Sequence, residues 1–175
     1  MTNTLLAPFG GSRLDKKIHI REGVLEDKSY LVSWLKHPET LRWFPMCNDA
    51  EIEDAANYWI SFANKGALLT AEYEGAVCGI INLYIQQEEK LKHHALLAII
   101  VAEEMRGKGV GKALLQAIEE RAKKLQIEIL HLEVYDQNPA IYLYEKMGFI
   151  KFGEHAEFVR DKMRYVTKHC MQKIL

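Results

Sequence analysis

The sequence predicts a mixed α/β domain, a central sheet with helices on its faces. Three observations lead there. Strand-like and helix-like periodicities succeed one another along the chain. One segment, "KHHALLAIIV", ends apolar on both faces, as a central strand covered from both sides does. A long amphipathic helix follows that strand directly. With 175 residues, 49% of them hydrophobic and 27% charged, the chain has the size and balance of one globular domain.

Taken in order, residues 1–16 read as an irregular N-terminal segment and 17–175 as a single domain. "IHIREG" is a short strand. From Leu25 to about Lys65 the signal is helical, with Leu31, Trp34 and Leu35 on one face. A second helix starts at Asn48, with Glu51 as its capping-box partner, and Gly66 stands where it stops. The strands "ALLTAEY" and "AVCGIINLYI" are joined by a hairpin turn at Glu74-Gly75. Then comes the covered strand ending at Val101. The helix from about Gly109 to Leu125 follows, with Val110, Ala113, Leu114, Ala117, Ile118, Ala122 and Leu125 as its apolar stripe. The strand "EILHLEVY" precedes a short helix, "PAIYLYEKM", with proline in its first turn. Two closing strands lie around "FIKFG" and "FVRDKMRYVTKH".

A formal net charge of -1 provides no basic field for nucleic acid or an anionic membrane. The three cysteines, Cys47, Cys78 and Cys170, lie far apart and form neither a disulfide framework nor a zinc pattern, and no other ligand set suggests a metal. The N-terminus lacks the pattern of a signal peptide, and no apolar stretch is long enough to span a bilayer. A cytoplasmic protein is expected.

The stretch "VAEEMRGKGVGKALLQAI" holds Gly107, Gly109 and Gly111 at alternate positions before the long helix. It fits neither a P-loop, because Ala113 follows Lys112, nor a dinucleotide fingerprint, because Lys112 takes the last glycine position. Between Met105 and Lys112 no Ser, Thr, Asp or Asn is present to cap the helix. Bare amides, the positive end of the helix dipole, and Arg106, Lys108 and Lys112 together form an anion site. The plainer alternative is a tight turn whose glycines serve only packing.

"RGKGVGKALL" followed by "LEVYDQNPAIYLYEKMGF" resembles the GNAT superfamily of acyl-CoA-dependent N-acyltransferases, from about Ala95 to Phe152. The resemblance implies a mixed, mostly antiparallel sheet with two strands splayed into a cleft for acetyl-CoA, the cosubstrate. It implies that the amides of Gly107, Lys108, Gly109, Val110, Gly111 and Lys112 hold the coenzyme A pyrophosphate, with Arg106 opening the motif. Ile99, Ile100 and Val101 would run beside the pantetheine arm and polarise the thioester carbonyl, and Asn138 matches a residue contacting the pantetheine or phosphate region. Between Glu133 and Tyr144 the segment is one residue shorter than the common pattern. Counted back from Tyr144, the asparagine position therefore holds Gln137. The acceptor implied is a primary amine, on a small molecule, peptide or protein, attacking directly through a tetrahedral intermediate, and the family leads one to expect a homodimer.

Amine acetylation needs a neutral amine, a stabilised oxyanion and a protonated leaving thiolate. Deprotonating a lysine-type amine at pH 7 costs about 4–5 kcal/mol, and an α-amino group about 1–1.5 kcal/mol. Glu133 is the candidate base. It shares a strand face with His131, and the ribosomal-protein alanine acetyltransferases of the superfamily carry a glutamate in a similar "LEV" triplet. The plainer reading has it only order the sheet end or pair with a lysine. Tyr144 is the candidate acid, with Tyr142 as the alternative if the helix is phased differently. His93 and His94 point to opposite strand faces, and His131 stands beside Glu133 as a possible relay. The aromatic residues and acids between Trp34 and Phe62 suit a cationic acceptor but fall at core-like and helix-start spacing. Two rival readings remain, a non-catalytic acyl-CoA sensor and a nucleotide-binding domain.

Overall fold

The computed structural model describes residues 17–161 and 163–175; the expected irregular segment 1–16 lies outside them. Seven strands form one sheet: β1 (Ile18–Glu22), β2 (Leu68–Tyr73), β3 (Ala76–Ile85), β4 (His94–Val101), β5 (Ile129–Tyr135), β6 (Ile150–Asp161) and β7 (Arg164–Ile174). Their spatial order is β1-β2-β3-β4-β5-β7-β6. Every neighbouring pair is antiparallel except β4 and β5. The helices are α1 (Lys28–Leu35), α2 (Pro38–Leu41), α3 (Asp49–Ser61), α4 (Val110–Lys124) and α5 (Ala140–Lys146). No helix among the described residues is long and apolar enough to cross a membrane.

Local signals explain most boundaries. Asn48 caps α3 through its side-chain oxygen, which accepts from the Glu51 amide at 3.0 Å. The returning half of the box is displaced by one residue, since the Glu51 carboxylate accepts from the Cys47 amide at 2.7 Å. Glu74 and Gly75 turn the β2–β3 hairpin with φ of 51° and 84°, the left-handed pair that a two-residue turn needs. The predicted run "FVRDKMRYVTKH" is not one strand: β6 continues to Asp161 and β7 starts at Arg164. No glycine or proline marks that reversal, so the alternating pattern reads straight through it.

Strand β4 separates two cores. Ala95 and Leu97 pack with Leu114, Leu115 and Ile118 of α4 and with Leu130, Leu132 and Val134 of β5. Ile100 packs on the other face with Leu31, Leu35, Ile52 and Trp59 of α1 and α3. The two faces are what the apolar run required, because each successive residue must meet a different helix layer. Leu115, absent from the predicted stripe, is fully buried, so α4 presents a wider apolar arc than an alternating stripe describes.

A buried ion-pair network fastens the first layer. Asp27, only 2% exposed, is gripped by Arg21 through both carboxylate oxygens at 2.8 Å and also accepts from Thr70 at 2.7 Å and the Val24 amide at 3.0 Å. Burial pushes its carboxyl pKa up, but the Arg21, Val24 and Thr70 hydrogen bonds and the Arg21 charge outweigh that and hold it below the usual carboxylate range. Because the folded carboxyl titrates below its unfolded value near ~3.9, its stabilisation is complete above that pH and drains as pH falls towards the folded value. Asp27→Asn should lower unfolding stability by about 3 kcal/mol at neutral pH, since it removes the doubly bonded, buried partner of Arg21 and leaves that guanidinium only its ion pair with Glu72 at 2.6 Å. In acid denaturation the variant should lose less stability than the wild type below about pH 4.

Candidate active site

The site is built where β4 and β5 part. Their parallel pairing covers only His94–Ile129, Ala95–Leu130 and Leu96–His131. Beyond Leu96, β4 remains paired to β3 through Val101–Gly79, while β5 stays with β7 through Tyr135–Lys168. The two strands therefore diverge from an apex at His131.

The pairing parity fixes which main-chain groups look into the opening. The Ala102 amide donates to the Cys78 carbonyl at 3.0 Å, and Ile100 lies opposite Ile80. Alternation along an antiparallel pair directs the polar groups of Ile100 to β3 and those of Ile99 and Val101 to the open edge. Of the three strand-end residues expected to line a ligand, Ile99 and Val101 expose their backbone there, whereas Ile100 offers only a buried side chain on the α3 face. On the facing strand, the Asp136 amide donates to Thr167 at 2.9 Å, which by the same parity turns the Glu133 main chain towards the opening.

The open edge leads into the glycine loop. Gly107 and Gly109 have φ of 71° and 93°, conformations that side chains other than glycine rarely adopt. Gly111 has a different reason: a Cβ there would stand 3.0 Å from the Leu143 side chain, so its glycine lets α4 approach α5. Gly109 caps α4 without a side-chain bond, and the first helical bond runs from the Ala113 amide to Gly109. None of the amides from Gly107 to Lys112 has a well-aligned acceptor among the described residues. Lys108 and Lys112 are exposed beside them. Arg106 turns away: its guanidinium donates to the Val101 carbonyl at 3.2 Å and to the Thr40 hydroxyl at 2.7 Å. It ties the loop to α2 instead of facing the bare amides.

Glu133 and Tyr144 lie on opposite faces of β5. Tyr144 belongs to the α4–α5 side, 7% exposed and packed edge-on to Phe149 at 6.1 Å. Burial alone raises its phenol pKa. Tyr142 points outward, 64% exposed with Lys146 stacked on its ring at 4.2 Å, which settles the phase of α5. Glu133 lies on the other face with an ion pair to Lys168 at 2.8 Å, the lysine partner that the plainer reading anticipated. His131 sits on the same face, its Nε2 3.2 Å from Nδ1 of His94, while His93 is exposed. Burial, then the His94 charge, lowers the His131 pKa. Asn138 accepts from the Ala140 amide at 2.9 Å and so caps α5, and Gln137 takes the left-handed turn position at φ 65°.

Several neighbours had no motif to announce them. Lys168 pairs with Glu133, Tyr135 shares its face and Phe158 lies over Lys168 and Tyr135; only the period-two alternation of β5 and β7 places the first two on that face. The acids near the first helices are spent internally, Asp49 on Lys36, Glu53 on Lys28 and Glu39 on Arg42. Trp59 and Phe62 are core.

Comparison with known proteins agrees with this architecture. Residues 29–149 match the model of the acetyltransferase (GNAT) family. An N-alpha-acetyltransferase of Sulfurisphaera tokodaii is 37% identical over 153 residues, covering 81% of this chain and 85% of the relative. The uncharacterized N-acetyltransferase YdgE of Bacillus subtilis is 36% identical over 77 residues, covering 43% of this chain and only 49% of the relative. A crystal structure of a phosphinothricin acetyltransferase from Sinorhizobium meliloti, in complex with acetyl-CoA, superposes with a TM-score of 0.77 at 22% identity, covering 91% of this chain and 89% of that one. At that identity the superposition speaks for the fold alone. With its splayed β4 and β5, bare-amide loop and matching sequence, the chain belongs to the GNAT family of acetyl-CoA-dependent N-acetyltransferases.

Proposed function

We propose that this protein transfers an acetyl group from acetyl-CoA to a primary amine by direct attack, with Glu133 and Tyr144 serving as base and acid. The observation that carries this is two sets of main-chain donors left without a partner among the described residues, Ile99 and Val101 on the open edge and Gly107–Lys112 at the start of α4, while the Ala102, Met105 and Arg106 amides between them are bonded. A diphosphate suits the loop, because helix-start amides and the dipole both favour an anion. An extended pantetheine arm suits the edge of β4, which lacks a partner strand there.

In this reading the Ile99 and Val101 amides donate to the carbonyl oxygen of the thioester and take up its developing charge. The amine enters from the Glu133 face. Its nitrogen bonds to the carbonyl carbon, and its proton passes to the Glu133 carboxylate directly or through water. Collapse breaks the carbon–sulfur bond, and the thiolate takes its proton from the Tyr144 hydroxyl on the opposite face. A phenol kept protonated by burial is available as that donor at neutral pH. In this reading Asn138, whose side-chain oxygen is engaged by the Ala140 amide, offers its remaining amide donors to the coenzyme.

Three outcomes test the assignment. Replacing both Lys108 and Lys112 with glutamate should raise the acetyl-CoA Kd by about tenfold with little change in Tm, read by calorimetry and thermal melting. An unchanged Kd contradicts the loop assignment. Tyr144→Phe should lower kcat about 100-fold in a thiol-release assay while acetyl-CoA still binds. Glu133→Gln should lose a similar factor near pH 7 and recover at high pH, where the free amine deprotonates in solution. Wild-type protein that binds acetyl-CoA but acetylates no amine would instead support the sensor reading.

A further inference from the structure

Beside Glu133 lie two polar groups that the acetyl transfer does not use. Tyr135 is 7% exposed, and its hydroxyl is buried with no hydrogen-bond partner among the described residues. Lys168 is 8% exposed, and its ammonium meets one carboxylate oxygen, that of Glu133. A phenol carries one O–H donor, and that of Tyr135 is unanswered among the described residues; the Lys168 ammonium carries three N–H donors, of which the Glu133 carboxylate engages one side while the Phe158 ring stands over it. Leaving buried donors unpaired is costly, and native proteins keep few of them.

The two groups sit together. Tyr135 and Lys168 are directly opposite each other in the β5–β7 register. The parity set by the Asp136–Thr167 bond makes theirs a non-hydrogen-bonded pair, the kind in which side chains stand closest. Glu133, two residues before Tyr135, shares that face. Phe158 covers the pair, its ring centroid 3.6 Å from the Lys168 ammonium and 6.5 Å from that of Tyr135. It is carried on an irregular stretch of β6, where pairing slips between His155 and Val159 and Glu157 has φ 54°. Such a bulge re-aims a side chain out of the regular pleat.

We infer that Tyr135 and Lys168 form a carboxylate-binding subsite, so that the acceptor is a free α-amino acid held by its carboxylate there and by its amine at Glu133. This rests on the reading of Glu133 as the group facing the amine. The internal Glu133–Lys168 ion pair is exchanged for two, amine to Glu133 and carboxylate to Lys168, while the Tyr135 hydroxyl gains its missing acceptor. The phenol stays a donor throughout, because burial and then the Glu133 charge push its pKa up to about 12. Phe158 moves aside as the carboxylate enters and closes over it. A peptide N-terminus or a polyamine lacks a carboxylate at that spacing and leaves the subsite unfilled.

The test compares free L-amino acids with their carboxamides, which keep the amine and the shape and lose the charge, using acetyl-CoA and thiol release. The wild type should favour the free acid by about tenfold or more in kcat/KM, because a site built for a group rejects the analogue lacking it. Tyr135→Phe and Lys168→Met should each bring the two values together, chiefly by raising KM for the acid. Tyr135→Phe removes an unpaired hydroxyl and should not lower Tm, so it remains informative if Lys168→Met folds poorly. Carboxamides turned over as well as acids by the wild type, or a full preference retained in Tyr135→Phe, overturns the subsite and leaves the transferase reading standing. Thiol release with no amine at all overturns both.

Discussion

Everything functional here depends on β4 having a partner on one edge and none on the other beyond Leu96. A central strand normally spends both sets of its main-chain groups on neighbours, and unpaired groups in the middle of a sheet are expensive. The divergence holds because each strand is secured elsewhere. β4 is locked to β3 and gripped by two hydrophobic layers, and β5 is paired along its length with β7. α4 sits below the opening as the crossover that makes the two strands parallel, and its N-terminus inevitably points at the same gap. The strand edge and the helix start are thus two consequences of one topology, which is why the backbone alone supplies the donors.

The side chains divide by face. Tyr144 comes from the α4–α5 layer with its phenol shielded, while Glu133 comes from the opposite layer with its carboxylate 45% exposed and paired. A donor and an acceptor on opposite faces suit a reaction in which the leaving group and the incoming nucleophile must occupy different sides of one carbonyl. Arg106 serves a separate purpose. By joining the Val101 carbonyl to the Thr40 hydroxyl, it connects the glycine loop to α2, a link reinforced by the contact of His37 with Glu103 at 2.8 Å.

Much of this was legible in the residues. The apolar run ending at Val101 revealed a strand covered on both sides because two helix layers demand it. The absence of any capping residue before Lys112 revealed bare amides because caps are made by few residue types. Other features needed coordinates. Which of Ile99, Ile100 and Val101 faces the opening depends on pairing parity, and a single strand does not encode its own parity. Gly111 reads like its neighbours, yet it is there for Leu143 and not for φ. Lys168 is some thirty-five residues from Glu133 in sequence, and no spacing rule joins them. The turn after Asp161 escaped because it is built without glycine or proline.

Amide hydrogen exchange, followed residue by residue with and without acetyl-CoA, tests the central claim most directly. The amides of Ile99, Val101 and Gly107–Lys112 should exchange quickly in the free protein and become strongly protected in the complex, while that of Ile100, already bonded to β3, should be slow in both. Protection of the first set before ligand is added, or no gain when it binds, would contradict the account.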